Sequence, residues 1–295
     1  MRLTWRTVPY LLQRSVLAAI DDNCFAIAKG AAYSALLSFF PILASAAAIF
    51  VQTRAQFVVR AMQQVLPQVV PPGTEEVVLQ QFRVQGARPL ILLIVAALVS
   101  LWAASSVVKS LMEGFQAAYR VPKNRDFLRN SGIAIALVLM TAAPLIGACA
   151  LVLFGERLER QVLNWMRVDV TLSHWAWLWQ ALSRLARYSL AFLTTVFVTG
   201  LLYYFGPYRP QKWSRVLPGA VVATLLWLLA TMGFAWYVRH LARYNVMYGS
   251  IATSILLLVW MYLMAAIALL GCEFNAEFER LQRAGLQAPD VLGAP

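Results

Sequence analysis

The side chains in this sequence best placed to do chemistry are the few charges that lie in or beside apolar surroundings. Lys29 stands just before a long apolar run, and Asp22 lies seven residues earlier, on the same face of a helix if that helix is continuous. Lys109 lies near the end of a second run and Glu113 follows it four residues later, the spacing at which helical side chains meet. Glu273 closes another run, with Asn275 and Glu277 just beyond. Ionisable groups inside apolar segments are costly, so they are functional candidates by default. Two lysines and nearby carboxylates at one end of a bundle would form a polar vestibule able to receive an anionic group. The alternative is structural: both lysines snorkel to a polar boundary, and Glu273 is hydrated.

Hydrolytic and metal chemistry find little support. The two histidines, His174 and His240, each lack a second His or Cys at ligand spacing, so no zinc or di-metal site is expected. The G-x-S-x-G elbow, the P-loop and the G-x-G-x-x-G loop are absent. The apolar runs contain no Asp, which removes a paired-aspartate intramembrane protease. Cys24, Cys149 and Cys272 are odd in number and lie in or beside apolar runs, as small buried residues do. No catalytic residue, metal or cofactor is therefore expected.

A second pattern is made of small and hydroxyl residues. Ser34, Ser38, Pro41 and Ser45 recur on one face, and Ser250, Thr253 and Ser254 open the last apolar run. Such faces let helices approach closely; a polar translocation path is the other reading. Pro41 and Pro144 interrupt apolar runs and free backbone carbonyls, so they are hinge or packing candidates.

The elements that position these residues follow from composition. Of 295 residues, 61% are hydrophobic and 13% charged, against about 45–50% and about 25% in soluble domains. This describes a membrane protein. Six stretches, 30–51, 90–112, 131–154, 185–205, 216–238 and 250–272, reach the roughly 20 apolar residues that cross a bilayer core. Lipid offers the backbone no hydrogen-bond partner, so each must be helical. The fold expected is all-α, a polytopic bundle of six transmembrane helices. Amphipathic interfacial helices are expected at the N-terminus, where Val8, Leu11, Leu12, Val16, Ala19 and Ile20 recur at helical spacing, and in the two long external loops. Segment 1–29 is then an N-terminal cytoplasmic segment, 30–275 the transmembrane domain and 276–295 a short cytoplasmic tail. No cleavable leader is expected, because the first 22 residues hold no unbroken apolar run before a small-residue cleavage site.

Charge sets orientation. The net charge is +12, from 25 Lys+Arg and 13 Asp+Glu. Arg120, Lys123, Arg125 and Arg129 crowd one short connection and Arg209, Lys212 and Arg215 another, whereas the long loops dilute their arginines with acids. Both termini are therefore expected in the cytoplasm. Positives on both faces beside Trp and Tyr fit anionic lipid as partner and do not fit nucleic acid, which needs a basic groove or a recognisable module.

Several blocks resemble the YihY/virulence factor BrkB family of bacterial inner-membrane proteins, once described as ribonuclease BN-like. Residues 31–41, AAYSALLSFFP, are similar to its LAYYxLLSLFP signature, and 114–121, GFQAAYRV, to its ALNxxYxV stretch, with Gln116 in place of Asn. Further blocks are 217–220 LPGA, 244–250 YNVMYGS, 258–262 LVWMY and 271–277 GCEFNAE. The resemblance implies six spans, a bacterial inner-membrane location and a role discussed as transport, with links to envelope integrity. It places Tyr33, Pro41, Tyr119, Tyr248, Gly249, Glu273 and Asn275 on motif positions, while Lys29 and Lys109 fall outside them. The function expected is transport or export of an anionic or amphiphilic, lipid-like envelope molecule that the sequence does not identify. The alternatives are a non-transporting envelope scaffold and, third, a membrane-associated ribonuclease. Substrate-binding candidates are Lys29, Tyr33, Lys109, Glu113, Tyr248, Glu273 and Asn275; hinge or packing candidates are Pro41, Pro144 and Gly249. The sequence also admits a homo-oligomer.

Overall fold

The computed structural model describes residues 7–52, 90–121, 127–165, 176–240 and 249–283. Their regular structure is entirely helical: α1 (Thr7–Asp21), α2 (Cys24–Gln52), α3 (Leu90–Ala118), α4 (Phe127–Trp165), α5 (Ala176–Phe205), α6 (Trp213–His240) and α7 (Gly249–Arg283). All but α1 contain a stretch long and apolar enough to cross a membrane. Large apolar side chains such as Trp102, Ile146, Leu193, Leu229 and Met232 point outward. In water such a surface would aggregate; in lipid it is the outer wall of a bundle.

α1 is amphipathic and docks. Thr7, Leu11, Ser15, Ala18 and Ala19 are buried, and Leu11 joins Phe274, Phe278 and Leu281 of α7 in one apolar cluster. The start of α1 and the end of α7 thus share one end of the bundle, called here the termini-bearing end. α1 and α2 are not one helix. Asn23 takes a left-handed φ of 55° and its N–H donates to the Ile20 carbonyl, a helix stop that Asn tolerates better than most residues. Asp22, at the corner, pairs with Arg120 (3.3 Å) and Arg280 (3.9 Å). The Asp22–Lys29 contact that a continuous helix would allow is therefore replaced. α3 ends in the same manner: Arg120 has φ 53°, its N–H donates to the Ala117 carbonyl, and Val121 N–H donates to Gln116, the paired bonds of a Schellman motif.

Two helices outrun their apolar cores. α4 keeps helical order for 39 residues, about 58 Å at 1.5 Å per residue, so Leu158 and Trp165 continue the third span where a fold-back segment was expected. Arg187 of α5 ties the overhang down through Glu156 (3.3 Å) and Glu159 (3.5 Å). α7 runs through Arg283, and residues 271–279 are all buried. The amphipathic stretch expected within 53–89, and the 166–175 part of the second long loop, lie outside the described residues.

The core is built from small residues. Ala28, Ala31, Ala118, Ala220, Ala223, Ala265 and Ala266 surround Phe115, Tyr203 and Leu269, which lets backbones approach as membrane helices do. The closest approach is between α6 and α7. A Cβ on Gly219 would meet the Gly271 carbonyl, and one on Gly271 would meet Ala223, the Gly219 carbonyl and the Tyr203 hydroxyl.

Candidate functional site

At the termini-bearing end, the last turns of α7 carry Glu273, Asn275, Glu277 and Glu279, all less than a tenth exposed. They are buried because α1, α2 and α6 pack round this part of the helix. Glu273 is fully enclosed; the Cys24 thiol donates to its Oε1 (3.3 Å), and Oε2 has no hydrogen-bond partner among the described residues. Asn275 bridges to α6: Gly219 N–H donates to its Oδ1 (2.7 Å), and its Nδ2 donates to the Val216 carbonyl (2.9 Å). These bonds flank Pro218 inside α6, a residue that lacks an N–H and opens the preceding turn. Tyr203 adds a third tie by donating to the Ala268 carbonyl (2.6 Å).

Arginines close the outside of this end. Glu277 pairs with Arg14 (3.3 Å) and Arg280, and Arg280 also donates to the Ala118 carbonyl (2.7 Å). Glu279 receives Arg209, Arg215 (2.9 Å) and Arg283 (2.8 Å). Arg209 in turn lies over the Tyr119 ring, 4.3 Å from its centre. Burial pushes the Tyr119 phenol well above its ordinary range. Polar groups here are packed against one another.

An apolar space lies further along the bundle. A cavity of about 370 Å³ is bounded by Ala31 and Ala35 of α2, Val107 and Leu111 of α3, Thr199 of α5, Ala223 and Trp227 of α6, and Trp260 and Met264 of α7. Its size falls within the roughly 300–1,000 Å³ of small-molecule sites. The indole N–H of Trp227 and, one turn on, the Thr231 hydroxyl have no hydrogen-bond partner among the described residues. The chemistry offered is a slot for hydrocarbon with a single unsatisfied donor on its wall. Among the described residues, no group of three or more His, Cys, Asp and Glu could hold a metal ion.

The candidates from sequence divide by helical face. A step of two residues turns a helix by about 200°, so Lys29 and Tyr33 alternate with Ala31 and Ala35, and Lys109 and Glu113 with Val107 and Leu111. The cavity takes the alanines, Val107 and Leu111. Lys29, Tyr33 and Glu113 are exposed and Lys109 is half-buried. Glu273 and Asn275 are brought into the enclosed end. Pro41 is half-buried inside α2, and its carbonyl accepts from Ser100 of α3 (2.8 Å), which also bonds Ser45 (2.6 Å). Pro144 lies inside α4, and Gly249 is the first residue of α7. Tyr248 is outside the described residues. Sequence reasoning did not single out Pro218, Tyr203 or Trp227 as site residues, and it read Arg209 and Arg215 as charges that set orientation and meet lipid, not as partners of Glu279. The i,i+4 spacing of Glu279 and Arg283 was a visible signal for that grouping.

Six apolar helices around a small-residue core, with their large apolar side chains turned outward, define a polytopic integral membrane protein. The family model for Virulence factor BrkB matches residues 16–291, and the chain belongs to that family. Among relatives, a Bacillus subtilis (strain 168) protein, YfkH, whose name calls it ribonuclease-like, is 30% identical over 83% of this chain and 86% of its own length. A UPF0761 membrane protein of Legionella pneumophila (strain Corby) is 26% identical over 88% of this chain, and one of Laribacter hongkongensis (strain HLHK9) is 27% identical over 94%. The chain spans only 59% and 64% of the lengths of those two relatives. No solved structure matches it significantly.

Proposed function

We propose that the protein moves an amphiphile bearing a hydrocarbon chain across a bacterial inner membrane, with both termini in the cytoplasm, and that it is not an enzyme. The apolar cavity shared by α2, α3, α5, α6 and α7 carries this reading. Only a ligand with an apolar chain gains from such walls, at roughly 25 cal/mol per Å² removed from water, and the Trp227 N–H can donate to one polar atom near the chain. The crowding of basic residues in the short connections supports the orientation. The absence of a metal-ligand cluster among the described residues weighs against a metal-dependent ribonuclease. The headgroup of an arriving amphiphile would meet Lys29, Lys109 and Glu113 at the bundle surface, and Tyr33 remains a candidate there; Tyr248 remains a candidate from sequence alone. A scaffold role is favoured by one observation, the solidly packed segment 271–279.

The test is photolabelling in proteoliposomes with a diazirine-tailed phospholipid, coupled to a flip assay on a fluorescent lipid. Label should concentrate on Trp227, Trp260 and Met264, and Ala35→Phe, which fills the slot, should reduce both label and flipping. Labelling confined to outward residues such as Trp102 and Leu229, with A35F equal to wild type, overturns the transport reading in favour of the scaffold.

A further inference from the structure

Outside the cavity, the strongest feature without an assigned role is a surplus of guanidinium at the termini-bearing end. Glu279 is 4% exposed, and three arginines from separate places in the chain converge on it. Arg209 comes from the connection between α5 and α6, Arg215 from the first turn of α6, and Arg283 from the last turn of α7. One carboxylate offers about four acceptor positions, whereas each guanidinium carries five N–H donors. A single negative charge cannot neutralise three positive ones, and exposed Lys212 adds a fourth. The neighbouring set is nearer balance: Asp22 and Glu277 are shared by Arg14, Arg120 and Arg280.

The surplus borders open space. A concavity of about 290 Å³ is bounded by Arg215, Glu279, Gln282 and Arg283. A second, of about 490 Å³, is bounded by Arg209 with Tyr204, Tyr208 and Gln211. Arg209 is held between Glu279 and the Tyr119 ring. Trp213 opens α6 and Tyr204 stacks on it at 4.9 Å between ring centres, the aromatic dressing of a membrane–water boundary. The arginines therefore stand at headgroup depth.

We propose that Arg209, Arg215 and Arg283, preorganised by Glu279, form a binding site for a phosphate group, carried by an anionic phospholipid or by a free phosphate ester. Guanidinium forks match phosphate oxygens in pairs, which a lysine ammonium cannot do. The buried carboxylate holds three forks in place, and their residues line the concavities, Arg215 and Arg283 the first and Arg209 the second. The inference goes beyond the transport reading and does not depend on it, because the site is on the end surface and not in the apolar cavity.

The full chain in detergent would be titrated with short-chain phosphatidylglycerol, glycerol 3-phosphate and inorganic phosphate, following tryptophan fluorescence. Three double variants separate a built site from diffuse charge: Arg215→Gln with Arg283→Gln, Arg215→Lys with Arg283→Lys, and Lys123→Ala with Arg125→Ala from the connection between α3 and α4. The glutamine pair should weaken binding about tenfold, the charge-conserving lysine pair about threefold, and the control pair less than about twofold. Tighter binding of phosphatidylglycerol than of glycerol 3-phosphate assigns the site to lipid, and equal binding assigns it to a soluble phosphate ester. Absence of binding to all three ligands, or a lysine pair equal to wild type, overturns the proposal, as does a control pair that loses as much as the glutamine pair. If the glutamine pair does not fold, the lysine pair against the control decides alone.

Discussion

Asn275 carries a side-chain amide that does backbone work, and removing it isolates a single physical effect. It is 1% exposed, and its two bonds, 2.7 Å from Gly219 N–H and 2.9 Å to the Val216 carbonyl, flank Pro218. Asn275→Leu keeps the branched skeleton of the side chain, with somewhat more bulk, and removes both bonds. If they resemble average interhelical hydrogen bonds in a bilayer, about 0.6 kcal/mol each, the cost is about 1 kcal/mol. If the two backbone groups are left unpaired in an apolar interior, at about 1–3 kcal/mol each, it is about 2–6 kcal/mol. The second regime applies, because Val216 is fully buried and Gly219 meets the α7 backbone with no room for water. The variant should therefore lose at least about 2 kcal/mol. Asn275→Asp keeps an acceptor for Gly219 and loses the donor to Val216; it should also suffer, because it brings a buried charge. The assay is unfolding of purified protein in mild detergent, followed by size-exclusion fluorescence across a temperature series. An N275L variant that melts with wild type would refute the reasoning: the close Gly219–Gly271 crossing would then hold α6 to α7 without the amide.

Other predictions are shorter. Glu279→Gln removes the one carboxylate shared by three arginines; because Arg215 and Arg283 are substantially exposed, their repulsion is screened, and the loss should be about 1–2 kcal/mol, visible as a lower melting temperature that rises again with salt. Of the three cysteines, Cys149 is exposed and Cys24 and Cys272 are buried, so a membrane-permeant maleimide should label one site in detergent and all three after denaturation, as mass spectrometry would count. Cys24→Ala removes the one hydrogen bond to Glu273 and should lower stability more than Cys24→Ser, which keeps a donor. Lys29→Ala and Lys109→Ala should shift cavity photolabelling less than A35F, because neither lysine is on the face of its helix that lines the slot.

The six spans were legible because lipid leaves the backbone no choice: a run such as 131–154 can only be helical there. α1 was legible as a helix from Val8, Leu11, Leu12, Val16, Ala19 and Ile20, but its docked face was not: Ser15 and Ala18 are buried beside Leu11 and Ala19, while Val16 and Ile20 are exposed. The end of α7 was harder. Residues 273–283 alternate acids and arginines and look solvated, yet Phe274, Phe278 and Leu281 recur at i, i+4 and i+7 and are buried against α1. The period was present but masked by charge, and the charges could be buried only because arginines from α1 and the α5–α6 connection meet them. The candidates on α2 and α3 failed differently. Sequence identified Lys29, Tyr33, Lys109 and Glu113 by residue type, but the cavity lies against the alternate face, where α2 presents only the small Ala31 and Ala35 opposite Val107 and Leu111 of α3. An absence of bulk leaves no sequence signal until the partners that surround it are known.

The two ends of the bundle are built for opposite tasks, and this bears on where movement can occur. Opening the termini-bearing end would break the Glu279 cluster, the Asn275 bonds and the Tyr203–Ala268 bond together, and would separate helices in backbone contact at Gly219 and Gly271. Towards the other end, α2 and α3 are joined by Ser45, Ser100 and the Pro41 carbonyl, exchangeable hydroxyl bonds worth about 0.6 kcal/mol each beside a proline that weakens its own helix. Any motion that admits a hydrocarbon chain to the slot should therefore pass through the Pro41 region of α2. The Ser45 and Ser100 oxygens are 2.6 Å apart, close enough for a Ser45→Cys, Ser100→Cys pair to form a disulfide after modest adjustment. Oxidised, that pair should slow lipid flipping and cavity labelling, and reduction should restore both. If flipping is unchanged by the bond, α2 and α3 move as one body, and the gate lies instead between that pair and α6.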